Sequence, residues 1–303
     1  MEFLAGIVYF CMLMLDAIKR RMLIGLSQLP LSVTYGFADV LYVLQRYVIG
    51  YRRGVVEENL RNAFPEKSEE ERQAIHREFD RNLCDYAMET VRNLSIGAEE
   101  LDERMEYEAL EVFAAVKAEG KNCLLLCGHI FNWEWLTGLI AHLPTRDKYA
   151  VYHEVHDKVV DDLVREARER LGNKSIRMQD TVKTILALPN DGESTFLFVA
   201  DQSPAAGAIQ HSLRFLNQET PVFTGFGKLA ERLDMGVVYC YMQRRGRGRY
   251  AVRFVRLMPE AEKWATGEVV QKYFEILEEN IREQPSNWLW SHRRWKYKKG
   301  VYW

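Results

Sequence analysis

The residues best suited to acid–base chemistry in the stretch CLLLCGHIFNWEW are His129 and Glu134. They follow five apolar residues, 123 to 127, which end at Gly128 and are typical of a short buried strand. A carboxylate beside an imidazole fixes its tautomer and stabilises the imidazolium that forms when it takes a proton. His129 is therefore predicted to be a general base for a bound hydroxyl, oriented by Glu134, since no serine or cysteine nucleophile is obviously paired with it.

The spacing of this pair sets a structural condition. Residues five apart on one helix do not face each other, so His129 must lie in a turn and Glu134 in the first turn of the following helix. Asn132 is a suitable N-cap for that helix and a candidate substrate-binding residue. From these residues alone, a histidine that is only hydrogen-bonded into the structure remains an equally good interpretation.

The elements around this pair alternate along the chain. Strand-like stretches such as KYAVYH, STFLFVA and GVVYCYM are separated by helix-like ones, and Ser68 with Glu71 predicts a capping box at the start of a long helix. This alternation predicts an α/β fold, with a mainly parallel mixed sheet flanked by helices, and it allows an antiparallel edge. The carboxyl ends of such strands are where ligands usually bind.

Three further residues are candidates for binding substrate. Asp201 and Gln202 end the strand STFLFVA, on the edge of His129 if the strands are parallel, and are predicted to position substrate; the alternative is a simple turn. Thr224 begins a predicted helix whose N-terminus is a candidate phosphate site; an ordinary helix start is an equally good interpretation.

The N-terminal 50 residues are apolar and aromatic, with basic residues at their edges. The 13 apolar residues FLAGIVYFCMLML are too few for an ordinary membrane span. Residues 1–50 are therefore predicted to form helices at a membrane interface, and residues 51–303 to form one catalytic domain. A buried core hairpin is the alternative for the N-terminal segment.

Charge and cysteine content narrow the functional classes. A formal net charge of −2 gives no indication of nucleic-acid binding, and the five cysteines form no CxxC pair, which favours reduced thiols and no metal. Near the C-terminus, Arg293, Arg294 and Lys296 are interleaved with tryptophans and are candidates to bind lipid phosphates or the membrane surface. The alternative is a solvated tail.

Several motifs together resemble a known family. GHIFNWEW is similar to the H-x4-[D/E] box of glycerolipid acyltransferases, in the form found in the late acyltransferases of lipid A biosynthesis. Further blocks of that family are matched in order, over roughly residues 50 to 298, by YRRGVVEENLRNAFPEKSEEERQAIHREF, FVADQSPAAGAIQHSLRFLNQETPVFTGFGKLAERLDMGVV and PSNWLWSHRRWKYK. The resemblance implies a glycerolipid acyltransferase-like fold.

The resemblance also implies an O-acyltransferase that moves a fatty acyl chain to a hydroxyl of a lipid A precursor. The donor is usually acyl carrier protein, with acyl-coenzyme A as the alternative, and no cofactor or metal is implied. The implied place is the cytoplasmic face of the bacterial inner membrane, as a peripheral or monotopic protein. A transferase for another lipid, such as a lysophospholipid or an amino-acid lipid, and an inactive membrane scaffold of the same fold are the alternatives.

The chain departs from the family pattern at one place. Family members often carry an arginine in a Tyr-Arg-Pro context after the strand that follows the catalytic box, where this chain has VYHEVH. The donor to the oxyanion is then either Arg177, near the NKS stretch, or the backbone alone.

Overall fold

The computed structural model of the chain describes residues 2–258 and 264–297, with the side chains of 2–13 left aside. A seven-stranded sheet runs through the described part. Its strands are β1 (Met105–Glu108), β2 (Cys123–Cys127), β3 (Asp147–Tyr152), β4 (Lys174–Arg177), β5 (Ser194–Val199), β8 (Gly236–Gly246) and β9 (Arg249–Arg256), while β6 (Ser212–Phe215) and β7 (Gln218–Pro221) form a separate hairpin. The strand order in the sheet is β1-β9-β8-β2-β5-β3-β4.

The sheet is parallel except at one pair of strands. β2 lies at the centre and pairs in parallel with β5 and β8, whereas β8 and β9 are antiparallel. All five residues of β2 are buried, as its apolar sequence predicted. The prediction of an α/β fold with a mainly parallel sheet and an antiparallel pair near one edge is confirmed.

Helices pack against the sheet. They are α1 (Glu2–Ser27), α2 (Leu31–Leu44), α3 (Arg53–Ala63), α4 (Glu69–Arg92), α5 (Ala98–Arg104), α6 (Glu111–Ala118), α7 (Lys158–Glu169), α8 (Thr181–Leu186), α9 (Gly225–Leu233) and α10 (Thr266–Glu283). The predicted capping box of α4 is present: Ser68 accepts from the Glu71 backbone N–H at 3.2 Å, and the Glu71 carboxylate accepts from the Ser68 backbone N–H at 2.6 Å. The segment after His129 is a 3-10 helix, Trp133–His142, instead of the predicted α-helix.

The N-terminal helices pack one face against the body of the protein. α2 buries Leu31, Thr34 and Ala38, and a π-helical turn, Gln45–Ile49, follows it. The face of α2 opposite these buried residues carries exposed apolar side chains. Among the described residues, no helix is both long and apolar enough to cross a membrane.

Candidate functional site

The register between two neighbouring strands brings His129 opposite Asp201. Cys127 pairs with Val199 at the carboxyl ends of β2 and β5. His129 and Asp201 each lie two residues beyond this pair, and the His129 backbone N–H donates to Asp201 Oδ2 at 2.9 Å. The close approach depends on Gly128, because a Cβ there would stand 2.5 Å from Leu277 Cδ1 and 3.3 Å from Asp201 Oδ2. The predicted meeting of these two strand ends on one edge is confirmed.

The imidazole of His129 is held between two side chains. Its Nδ1 makes a short hydrogen bond with Asp201 Oδ1, and its Nε2 lies 2.9 Å from Gln202 Nε2. An ionised carboxylate can only accept, so Nδ1 carries the proton and Nε2 accepts from the Gln202 amide. This tautomer leaves Nε2 as the atom able to take a proton.

Asp201 is a buried carboxylate whose charge is stabilised locally. Burial by itself raises its pKa, but the charge that His129 carries when protonated and the hydrogen bonds from His129 and the Trp288 indole hold the pKa well below its usual range. The Trp288 Nε1–H donates to Asp201 Oδ2 at 2.6 Å. The site therefore presents an ionised carboxylate to the imidazole at neutral pH.

The predicted contact between Glu134 and His129 is not formed. Glu134 instead accepts two hydrogen bonds from Arg168, Nε–H at 3.0 Å and Nη2–H at 2.7 Å, and a third from Trp133 Nε1–H at 3.1 Å. Both ring nitrogens of His129 already have other partners. The correction is that Asp201, and not Glu134, lies against the imidazole, because the parallel register decides which carboxylate reaches it.

Arg168 is one residue of this site that the sequence does not single out. It lies in α7 and forms a bidentate pair with the buried Glu134 carboxylate. Burial opposes the charge of Arg168, but Glu134 outweighs it and raises the pKa of the guanidinium. The pair positions Trp133, whose ring packs edge-on at 4.8 Å from the His129 ring. A single arginine within the charged α7 sequence gave no signal that could have singled it out.

Asn132 caps the 3-10 helix as predicted, since its side chain accepts from the Glu134 backbone N–H at 3.0 Å. The same side chain donates to Glu89 Oε2 at 3.0 Å and is fully buried. Both ends of the amide are thus used inside the protein. The prediction that Asn132 binds substrate is corrected to a structural cap.

Glu89 lies at the centre of a buried polar network behind this cap. Its carboxylate also accepts from Tyr35 of α2 at 2.8 Å and from Tyr250 of β9 at 2.7 Å. Burial raises the pKa of Glu89, and these donors counteract that effect. The network ties the N-terminal helices to the loop that carries His129.

Arg177 and Thr224 are the other two candidates. Arg177 is exposed and pairs with Glu154 and Asp180 at 3.3 and 3.0 Å. Neither partner is one of the residues around His129. Its predicted role as oxyanion donor is therefore not supported by its position. Thr224 is the N-cap of α9, and its side chain makes no capping hydrogen bond.

The C-terminal basic residues separate into exposed and buried ones. Arg293 and Lys296 are exposed, whereas the Arg294 guanidinium is fully buried, donates to Ser203 Oγ at 3.2 Å and lies over the Phe274 ring. Burial lowers the pKa of Arg294 to about 10. The prediction of phosphate binding is corrected for Arg294, because its guanidinium does not reach the surface.

A narrow cavity of about 30 Å³ adjoins the site. Apolar side chains of β3 and β5 line it, together with Trp133 and the Glu134–Arg168 pair. This volume holds about one or two waters. Among the described residues, no cluster of three or more histidine, cysteine or acidic side chains is arranged to hold a metal ion.

The fold and site together define an α/β protein with a carboxylate-bonded histidine at the carboxyl edge of a mainly parallel sheet. The model of the bacterial lipid A biosynthesis acyltransferase family matches residues 13–297 of the chain. The chain belongs to this family and is an O-acyltransferase.

Two relatives share the family at low identity. A lipid A biosynthesis acyltransferase of Haemophilus influenzae is 24% identical over 242 residues, which cover 77% of this chain and 72% of that protein. A lipid A biosynthesis palmitoleoyltransferase of Escherichia coli is 22% identical over 271 residues, which cover 89% of this chain and 87% of that protein.

Proposed function

We propose that the protein transfers a fatty acyl chain from an acyl thioester to a hydroxyl group of a lipid A precursor, with His129 as the general base. The observation that carries this proposal is the His129 ring itself, with Nδ1 bonded to Asp201 and Nε2 turned to Gln202. An oriented neutral imidazole with one accepting nitrogen is suited to take a hydroxyl proton.

The chemistry requires Gln202 to leave Nε2. That nitrogen has one lone pair, and the Gln202 amide occupies it. The acceptor hydroxyl replaces the amide, gives its proton to Nε2, and its oxygen forms a bond to the thioester carbonyl carbon. When the tetrahedral intermediate collapses, the C–S bond breaks and the leaving thiolate takes the proton from Nε2.

Asp201 supports the proton transfer without itself being protonated. Its negative charge stabilises the imidazolium, and its hydrogen bond keeps Nε2 directed away from the carboxylate. Glu134 acts on His129 indirectly, because it accepts a hydrogen bond from the Trp133 indole, whose ring packs on His129. The roles of base and orienter thus fall to residues at the ends of β2 and β5.

The exposed apolar side chains of the N-terminal helices support a membrane location. Val33, Phe37, Val40 and Leu44 follow one face of α2, opposite the face that packs on the protein. Tyr47, Val48 and Ile49 of the π-helical turn are 61–75% exposed. A contiguous apolar surface of this kind marks an interaction with a membrane or a protein. We assign it to the cytoplasmic face of the inner membrane, where it would hold the enzyme as a peripheral or monotopic protein.

Exposed cations near the site support an anionic lipid as the acyl acceptor. Arg293 and Lys296 are exposed cations on the segment whose backbone is bonded to His129, and they are suited to the phosphates of an anionic lipid acceptor. Acyl carrier protein is the proposed acyl donor, with acyl-coenzyme A as the alternative. The cavity beside Trp133 must widen to take an acyl chain, since its volume in this conformation is about 30 Å³.

The test compares acyl transfer by the wild type with two histidine variants. Purified protein in lipid vesicles is mixed with a lipid A precursor and an acyl donor. The donor is acylated acyl carrier protein or acyl-coenzyme A, radiolabelled in the acyl chain. His129→Asn should lose transfer by about 10²-fold or more, the usual contribution of a general base. His142→Asn is the matched control, because His142 is exposed and pairs with Asp102.

The acceptor is tested by mass spectrometry of lipids from a deletion strain. Lipid A that lacks one acyl chain, restored by the wild-type gene but not by the His129→Asn gene, is the expected result. Unchanged lipid A together with an altered phosphoglyceride would point to another lipid acceptor. Transfer that survives in His129→Asn would refute the assignment of the base.

A further inference from the structure

The C-terminal segment of the described chain forms part of the site. Backbone bonds join it to the loop that carries the base: the Phe131 N–H donates to Asn287 O at 2.9 Å, and the Leu289 N–H donates to His129 O at 3.1 Å. Between these bonds, Ile130 and Trp288 form an antiparallel bridge. The position of Trp288 relative to His129 is therefore fixed by the backbone.

Trp288 directs its indole N–H into the carboxylate of Asp201. The bond to Oδ2 is 2.6 Å long, and both side chains are buried, each 2% exposed. The same oxygen accepts the His129 backbone N–H at 2.9 Å. Oδ2 thus receives two donors, and Oδ1 is left for the imidazole.

We propose that Trp288 is a positioning residue that acts through Asp201 on the base His129. An indole N–H and a backbone N–H can only donate, so neither tolerates a proton on Oδ2. Together they prevent rotation of the carboxylate and hold Oδ1 against Nδ1. This inference rests on the proposed function, because it assigns a role in the same proton transfer.

The neighbouring tryptophan supplies a matched control. Trp290 is also buried, and its ring packs edge-on at 4.7 Å from that of Trp288. Its indole N–H donates to the backbone carbonyl of Pro285 instead of a carboxylate. Replacing either indole by phenylalanine therefore removes one buried donor and a similar volume, but only one replacement touches Asp201.

The experiment measures steady-state acyl transfer by Trp288→Phe and Trp290→Phe in the same vesicles as the wild type. Losing a hydrogen bond to a charged group should lower kcat of Trp288→Phe on the order of tenfold or more. The KM for the acyl donor should stay within about threefold, since the buried indole has little surface to offer a substrate. Trp290→Phe should keep kcat within about threefold of the wild type.

A double-mutant cycle separates positioning from a merely structural role. If Trp288 acts through the charge of Asp201, Trp288→Phe should lower kcat much less in an Asp201→Asn background than in the wild type. Equal loss in both backgrounds, or equal kcat for Trp288→Phe and Trp290→Phe, would overturn the inference. An inactive wild type would instead refute the proposed function and is recognised before any variant is compared.

If Trp288→Phe does not fold, the hydrogen bond of Trp288 is tested instead by ¹⁵N NMR of the indole N–H signals in other variants. In Glu134→Gln, the shifted indole N–H signal identifies Trp133, which donates to Glu134. In Asp201→Asn, a different indole signal should move, because Trp288 loses its charged acceptor. If no second indole signal responds to Asp201→Asn, the assignment of Trp288 is refuted.

Discussion

Replacement of Asp201 by asparagine is the sharpest test of how the base is oriented. The two side chains have nearly the same shape, so the change removes charge and replaces one oxygen by an NH2 group. Two N–H donors, from the His129 backbone and the Trp288 indole, converge on the Oδ2 position at 2.9 and 2.6 Å. The asparagine oxygen must therefore occupy that position, and its NH2 group must face His129 Nδ1.

This arrangement selects the wrong tautomer of the imidazole. Nδ1 then has to accept, so the proton moves to Nε2, and the atom that should take the hydroxyl proton has no free lone pair. The opposite amide orientation would oppose NH2 to two buried N–H groups and forfeit both bonds, at about 1–3 kcal/mol each. A total of about 2–6 kcal/mol corresponds to a loss of about 30-fold to 10⁴-fold in kcat. The corresponding change in a serine protease triad costs about 10⁴-fold in kcat.

The assay is acyl transfer to the lipid acceptor at saturating acyl donor, together with thermal unfolding of each protein. Asp85→Asn is the control: Asp85 is an equally buried carboxylate, but it pairs with Arg244 and Arg247 and not with an imidazole. The control should lose stability and keep kcat at temperatures where it is folded. If folded Asp201→Asn retained more than about a tenth of wild-type kcat, the tautomer argument would be refuted.

Three further predictions concern packing and charge. Gly128→Ala should lower the free energy of unfolding by about 1–3 kcal/mol in urea titrations, because its Cβ would meet Leu277 Cδ1 at 2.5 Å; an unchanged midpoint would contradict this. Arg168→Leu should cost about 3–5 kcal/mol, since it leaves the buried Glu134 carboxylate unpaired, and adding Glu134→Gln should recover part of that loss; no recovery would argue against the pair. Burial lowers the pKa of His292 from 6.5 to about 4, so the unfolded chain takes up this proton first as pH falls. The stability should be fully present above about pH 6.5 and decline by about 1–3 kcal/mol towards pH 4, and His292→Gln should show a shallower decline in urea titrations at several pH values.

The sequence determined the local structure around the site. Five consecutive apolar residues followed by Gly128 form the buried strand β2, and the spacing of Ser68 and Glu71 predicts the capping box of α4. Asn132 caps the segment after His129 as its position predicted, although that segment is 3-10 and not α-helical. These features depend on neighbours a few residues apart, whose contacts the backbone geometry fixes.

The tertiary structure decided which charges meet. Asp201 lies 72 positions after His129 and reaches it only because β2 and β5 are adjacent and in register at Cys127 and Val199. The tertiary fold also places Arg168 against Glu134. From the sequence, Glu134 was predicted to pair with His129 instead.

Whether a basic residue is available to a ligand was also decided by packing. Arg293 and Arg294 are neighbours in the sequence, yet one is exposed and the other is fully buried against Ser203 and Phe274. Residue types limit what a side chain can do, and motif order identified the family. The partner of each charge depends on strand order and register, because electrostatic and hydrogen-bonding contacts act over a few ångströms in space and not along the chain.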